Sequence, residues 1–313
     1  MKRAIVAVFL AAALSIVALA QATVAVYEGA RVIVGDGRVI ENAPIVVDAG
    51  KITQVGPAAN VKAPAGATRV SLTGKTVMPT IVDTHVHTSQ TRDALTTDLQ
   101  RRAYYGVSAA MSMGQDTEPA AFDLRAAPIP GAARIFTAGR GMTAPEPGRT
   151  MAPYWLTTVA EARKAVQEQA ARKVDIVKIW VDDRDGKFMK LTPELYGAVI
   201  DEAHKNKLRV TAHLFTLADA KGLWKAGIDA FAHGVRDRDV DEEFMAMLKT
   251  RPAFVLVPNL PDRGVKTDLS WLKDSLSAGE LQELEAGNTD RPGAQGTFGI
   301  QAPNLATISA AGV

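Results

Sequence analysis

From Val77 onward, amphipathic helical stretches alternate with short apolar strands every 20–45 residues or so, roughly the spacing of strand–helix units. This rhythm limits the fold more than any other feature. The clearest helix is expected over Thr158 to Arg172. There Thr158 and Glu161 form a capping box, and Val159, Ala162, Val166 and Ala170 share one face. It leads into the apolar run Val174 to Val181. Thr192-Pro193-Glu194 then opens a helix reaching Lys205, with threonine as cap and proline in the first turn. Strand Arg209 to His213, helix Leu217 to Ala226, strand Ile228 to His233, helix Asp241 to Lys249 and strand Phe254 to Pro258 follow.

Repeated strand–helix units require a parallel sheet, either doubly wound or closed as a barrel. No Gly-x-Gly-x-x-Gly or Walker-type loop follows any strand, so a nucleotide-binding sheet has no support. Strands are expected near Ile81, Val107, Ile135, Ile176, Val210, Ala230 and Val255. A last helix is expected near Asn304 to Ala310, with Gly312 as its C-cap and Val313 opening a further strand. The expected class is α/β, a (β/α)8-type TIM barrel, incomplete, with about seven strands present. Such an array leaves two unpaired edges, an aggregation hazard.

Before Val77 the pattern differs. Tyr27 to Lys75 carries short β-rich runs broken at Gly35-Asp36-Gly37 and Asp48-Ala49-Gly50-Lys51, which predicts a small antiparallel sheet or half-sandwich. Met1-Lys2-Arg3, the apolar run Ala4 to Ala20 and the small residues Ala18-Leu19-Ala20 have the form of a secretory signal peptide cleaved near Ala20. An uncleaved anchor is the alternative. The expected division is therefore 1–20 signal peptide, 21–78 sandwich portion and 79–313 barrel, with a periplasmic or secreted mature body and no membrane association after cleavage. The chain has no cysteine, which excludes disulfides, thiolate ligands and a cysteine nucleophile. Net charge is +2 over 313 residues with no basic stripe, so nucleic acid is not an expected partner. A small-molecule substrate is expected, and a homo-oligomer is left open.

Asp83-Thr84-His85-Val86-His87 closes the first strand of the repeat. Alternation puts Asp83, His85 and His87 on one face, with the two histidine backbones about 6–7 Å apart, within reach of one divalent ion. A solvated or hydrogen-bonded pair is the plainer alternative. The chain has five histidines, and four stand at strand ends: His85, His87, His213 and His233. At the carboxyl end of parallel strands these side chains converge on one mouth. The fifth, His204, lies among charges on a helix and is expected to be solvated. Lys178 sits between Val177 and Ile179 in an apolar strand, where an unpaired ammonium is costly. It must be paired with a carboxylate, neutralised, or modified by carbon dioxide to an anionic ligand. Taken together, His85, His87, Lys178, His213 and His233 favour a metal site.

The segments Asp83-Thr84-His85-Val86-His87, Val174-Asp175-Ile176-Val177-Lys178-Ile179, Val210-Thr211-Ala212-His213 and Ala232-His233-Gly234 resemble the metal-dependent amidohydrolase superfamily. The similarity is to its imidazolonepropionase/prolidase-like branch, with a lysine on the fourth strand. Val47 to Gly56 and Gly74 to Pro79 resemble the family's N-terminal sandwich and its lead into the barrel. The resemblance implies two divalent ions, zinc by expectation, with His85 and His87 on one, His213 and His233 on the other, and carboxylated Lys178 between them. It implies hydrolysis of amide-type C–N bonds in a dipeptide, cyclic amide or related molecule by a hydroxide held between the metals. Two departures stand out. Pro79-Thr80 replaces the family's Pro-Gly, and its eighth-strand aspartate, which binds metal and shuttles a proton, lies beyond this sequence, so no catalytic residue is assigned. An inactive or purely binding relative on the same scaffold is the alternative.

Overall fold

The computed structural model describes residues 24–149, 151–260 and 263–312. The signal-peptide segment lies outside the described residues, and so does Val313. No helix among the described residues is long and apolar enough to cross a membrane. The chain divides into two compact units between Thr80 and Ile81.

The first unit is one five-stranded sheet: β1 (Ala25–Ile33), β2 (Val39–Asp48), β3 (Lys51–Val55), β4 (Thr68–Ser71) and β5 (Thr76–Val77). β1, β2 and β3 form an antiparallel meander, whereas β4 and β5 pair in parallel with β1, so the sheet is mixed rather than antiparallel throughout. The β2–β3 turn holds Ala49 at φ 49° and Gly50 at φ 76°. Positive φ at both central residues is what a tight hairpin of primed type requires. Ala30, Val32, Ala43 and Ile45 form its small core.

The second unit alternates parallel strands with helices. β6 (Ile81–Val86), β7 (Val107–Ser112) and β8 (Arg134–Thr137) make one parallel sheet. β9 (Met142–Thr143), β10 (Tyr154–Trp155), β11 (Val177–Val181), β12 (Val210–Leu214), β13 (Ala230–Phe231) and β14 (Val255–Leu256) make another, in the order β10-β9-β11-β12-β13-β14. Asp175 stitches the two together: its N–H donates to Thr137 O at 2.9 Å, and its carboxylate accepts from Thr137 N and from Arg125. Every residue of β11 and β12 is buried, as expected of strands covered on both faces.

The helices are α1 (Arg92–Tyr104), α2 (Ala120–Ala126), α3 (Val159–Ala171), α4 (Pro193–Lys205), α5 (Leu217–Lys225), α6 (Glu242–Lys249), α7 (Ala278–Gly287) and α8 (Pro292–Ala310). The Thr158–Glu161 capping box forms as its spacing predicts, and Thr192, Thr216 and Asp241 cap the next three helices. α3 to α6 pack Val166, Val199, Leu223 and Phe244 against Ile179, Ala212, Leu214 and Phe231 of the strands. α8 begins well before the expected Asn304 and runs through Pro303, and Gly312 takes φ 74° just past its end. Proline within a helix masks its pattern, since it forfeits one backbone bond yet is tolerated where the helix is otherwise held.

Among the described residues β6 pairs with β7 alone and β14 with β13 alone. Val82 and Val255 are 48% and 42% exposed on these outer strands.

Candidate metal centre

The carboxyl ends of β6, β12 and β13 bring the four strand-end histidines together, and Lys178, the second residue of β11, lies within electrostatic reach of them. The His85 ring lies 5.4 Å from that of His87 and 4.7 Å from that of His233, and His233 lies 4.5 Å from His213, centroid to centroid. The unpaired charge that Lys178 would carry bears on all four imidazoles. His204 stands apart on α4, half-exposed and 2.9 Å from Asp229.

Each residue is positioned by identifiable contacts. His85 Nδ1 lies 3.1 Å from the Ala232 carbonyl at the end of β13; as the donor there it keeps Nε2 free. Asp83 does not join its neighbours. It pairs with Arg102 of α1, and the β6–β7 register slips between Asp83 and Val86, which breaks the strict alternation. His213 Nε2 lies 2.8 Å from Asp182 Oδ2, and Arg184 donates to the same oxygen at 2.6 Å. Nε2 is therefore the protonated nitrogen of His213, leaving Nδ1 as its lone-pair donor. His233 Nδ1 is buried without a hydrogen-bond partner.

Lys178 is fully buried, and its Nζ has no hydrogen-bond partner. Room for it comes from two glycines. A Cβ at Gly114, which has φ 93°, would lie 2.9 Å from Lys178 Cγ and 2.7 Å from the Trp180 ring. A Cβ at Gly141 would strike the same ring and lie 2.9 Å from Lys178 O. Trp180 thus walls the lysine in rather than serving as generic packing.

The electrostatics favour neutral donors. Burial, with the charges of Arg236 and Arg184, holds the Lys178 amine well below the usual lysine range. Burial and the Lys178 and His87 charges lower His85 to about 3. Burial also takes His213 down to about 4, against the opposing pull of Asp182. His87 and His233 are likewise lowered, burial being the largest cause in both. Burial alone would raise Asp182, but hydrogen bonds from His213 and the Arg184 backbone keep it well below the usual carboxylate range.

Sequence reasoning missed two groups, the Asp182–Arg184–Glu146 chain and Asp116. Arg184 also donates to the buried Glu146 at 3.0 Å. Asp116 accepts from the hydroxyls of Thr88, Ser112 and Thr137. The period-two spacing of Lys178, Trp180 and Asp182 was the available signal for the first. Arg140, in the loop after β8, is engaged by the carbonyls of Met151, Ala152 and Pro153 and by the Tyr154 ring.

Among the described residues, no three His, Cys, Asp or Glu side chains are already arranged as a metal-binding group. The rings converge, but nitrogens of His85 and His213 face protein acceptors. The donor chemistry still fits divalent ions: neutral imidazoles with lone pairs in hand, beside a buried amine and a buried ring nitrogen that nothing else satisfies.

No family model matches the chain. A putative prolidase from Bifidobacterium longum superposes with a TM-score of 0.72 at 24% identity, over 93% of this chain and 72% of that one. A Xaa-Pro dipeptidase with bound methionine gives 0.69 at 19% identity, over 93% of this chain and 78% of the other. The chain has the prolidase and amidohydrolase fold. Among curated relatives, an uncharacterized protein of Mycobacterium tuberculosis is 36% identical over 133 residues, 41% of this chain and 34% of that protein. A 5-methylthioadenosine/S-adenosylhomocysteine deaminase of Symbiobacterium thermophilum is 41% identical over 68 residues, 21% of this chain and 16% of the deaminase. The matches thus span about a third or less of these relatives' length. In this chain the four histidines stand at the carboxyl ends of β6, β12 and β13, where parallel α/β sheets carry their chemistry, and Lys178 lies inside β11.

Proposed function

We propose that this chain is a metal-dependent hydrolase of amide-type C–N bonds, with the two parallel sheets forming an arc of a (β/α)8 barrel. The observation that carries the reading is the fully buried, unpartnered Lys178 Nζ among four neutral imidazoles. An amine held neutral by burial is nucleophilic toward carbon dioxide; carbamate formation joins N to C, releases a proton and leaves one negative charge shared by two oxygens. That charge would offset part of the charge of two divalent ions, zinc by preference for imidazole and oxygen donors. His85 and His87 would hold one ion, His213 and His233 the other, and carboxylated Lys178 would join them. When bound, such ions supply Lewis-acid polarisation of a carbonyl oxygen and a nucleophile at neutral pH.

The chain's own residues do the rest. The Ala232 carbonyl fixes the His85 tautomer, and Asp182 fixes that of His213. Asp182 is committed to His213 and Arg184 and Asp116 to three hydroxyls, so both are assigned to orientation rather than to proton delivery. The substrate is a small molecule. The N-terminal segment is read as a secretion signal, which makes the periplasm or exterior the working compartment.

The test is metal titration of the chelator-treated protein, with and without bicarbonate, followed by a panel of dipeptides, acylated amines and cyclic amides. The reading expects about two zinc ions per chain, bicarbonate-dependent, and turnover abolished by chelator. Full occupancy without turnover on any amide would make the chain a metal-binding relative; no zinc uptake would end the proposal.

A further inference from the structure

The His85 and His213 rings are oriented by Ala232 O and Asp182. The His87 ring forms no hydrogen bond among the described residues and is the most exposed of the four, so its place depends on the backbone to either side. Both sides are held by neighbouring strands. Before it, Val86 stands opposite Ser112 of β7, and its carbonyl accepts from Met113 N at 2.9 Å. After it, the Thr88 hydroxyl donates to Asp116 Oδ1 at 3.0 Å, and the Thr88 carbonyl accepts from Gln90 Nε2 at 3.0 Å. Gln90 in turn accepts at 3.1 Å from the backbone N–H of Thr117, the residue after Asp116.

Asp116 is 2% exposed and forms no ion pair among the described residues. Its oxygens are filled by hydroxyls from the ends of three strands: Thr88 past β6, Ser112 of β7 at 2.8 Å, and Thr137 of β8. Its backbone is pinned too, since its N–H donates to Gly139 O at 3.0 Å. Burying a carboxylate is costly, and the hydrogen bonds it accepts are charge-assisted and stronger than neutral ones. The result is a stiff corner joining β6, β7 and β8. Thr88 is the member of that corner beside a ring that no other group holds. The Asp116 charge also reaches His87 itself, opposing the effects of burial and Lys178.

We infer that Thr88 and Asp116 are the positioning residues of His87, a hydroxyl–carboxylate link that fixes this histidine from β7 and β8 as Asp182 fixes His213. The ion held by His85 and His87 then depends on Asp116, and the ion held by His213 and His233 does not. The inference rests on the metal-centre part of the hydrolase reading and does not require turnover.

The test is a zinc titration against a competing chelator, in bicarbonate, on the wild-type chain, Thr88→Val, Thr88→Ser and Asp116→Asn, with the melting temperature of each metal-free protein. Thr88→Val keeps the branched shape and removes the donor. It weakens one of the two binding steps by about 10–100-fold, the loss expected for a group that orients a metal ligand, and leaves the other step unchanged. Thr88→Ser recovers the wild-type titration, and Asp116→Asn weakens the same step. Combining Thr88→Val with Asp116→Asn costs less than the two single losses together, because both cut one link. Unchanged zinc affinity in Thr88→Val, both steps weakened equally alongside a lower melting temperature, or no recovery in Thr88→Ser overturns the inference. Wild-type protein that takes up no zinc removes the metal centre and this inference with it. Two ions and the selective loss without amide turnover sink the hydrolase reading and support the link.

Discussion

Replacing Lys178 with methionine should stabilise the metal-free protein while destroying its capacity for two ions. The amine is fully buried with no partner, and an unsatisfied buried polar group costs about 1–3 kcal/mol. Methionine keeps an unbranched chain of similar length between Gly114 and the Trp180 ring, so most of the packing survives. For a unit of this size about 1 kcal/mol corresponds to roughly 2–4 °C, so the melting temperature in chelator should rise by roughly 2–12 °C. Lys178→Ala is the control of opposite sign: it opens a cavity and should lower stability by about 2–4 kcal/mol. Thermal unfolding in chelator, paired with zinc stoichiometry after bicarbonate treatment, reads both effects. A lower melting temperature for Lys178→Met would mean that the amine is satisfied in the apoprotein. Unchanged zinc stoichiometry would remove the lysine from the metal centre.

Acid should weaken the metal-free fold. His213 is held neutral down to about 4, whereas it protonates near 6.5 when unfolded. Between those values the unfolded chain binds the extra proton, so this contribution is complete above pH 6.5 and is lost as pH falls toward 4. It amounts to about 3 kcal/mol by the end of that window. Urea unfolding in chelator at pH 7, 5.5 and 4.5 checks it, and a flat profile would count against the burial. Gly141→Ala should cost about 1–3 kcal/mol and shift tryptophan fluorescence, because the new methyl meets the Trp180 ring and Lys178 O; an unperturbed spectrum would contradict the tight lysine cradle.

The helix–strand rhythm was legible because capping signals and apolar periodicity act locally: Thr158 with Glu161, and Thr192 with Pro193, start helices where their chemistry dictates. Strand lengths were less so. Ile228 to His233 reads as a full strand, yet only Ala230–Phe231 keeps ladder geometry. The flanking residues still bond to β12, Asp229 N–H to Val210 O and Ala232 N–H to Ala212 O, before the chain bends at His233. The four strand-end histidines and Lys178 were visible by residue type and position alone. Asp182 and Asp116 were not, because a carboxylate just after a strand is common and only the folded partners distinguish it. Asp83 misled, since its attraction to Arg102 lies in tertiary structure rather than in alternation.

Among the described residues β6, which runs into His85 and His87, pairs with β7 alone, and the His85–Ala232 bond ties it to the β13 end that carries His233. Ions gripping both histidine pairs would therefore act as a rivet through this seam. Chelation should loosen β6 before any other strand of the unit, making its amides the first to exchange with solvent.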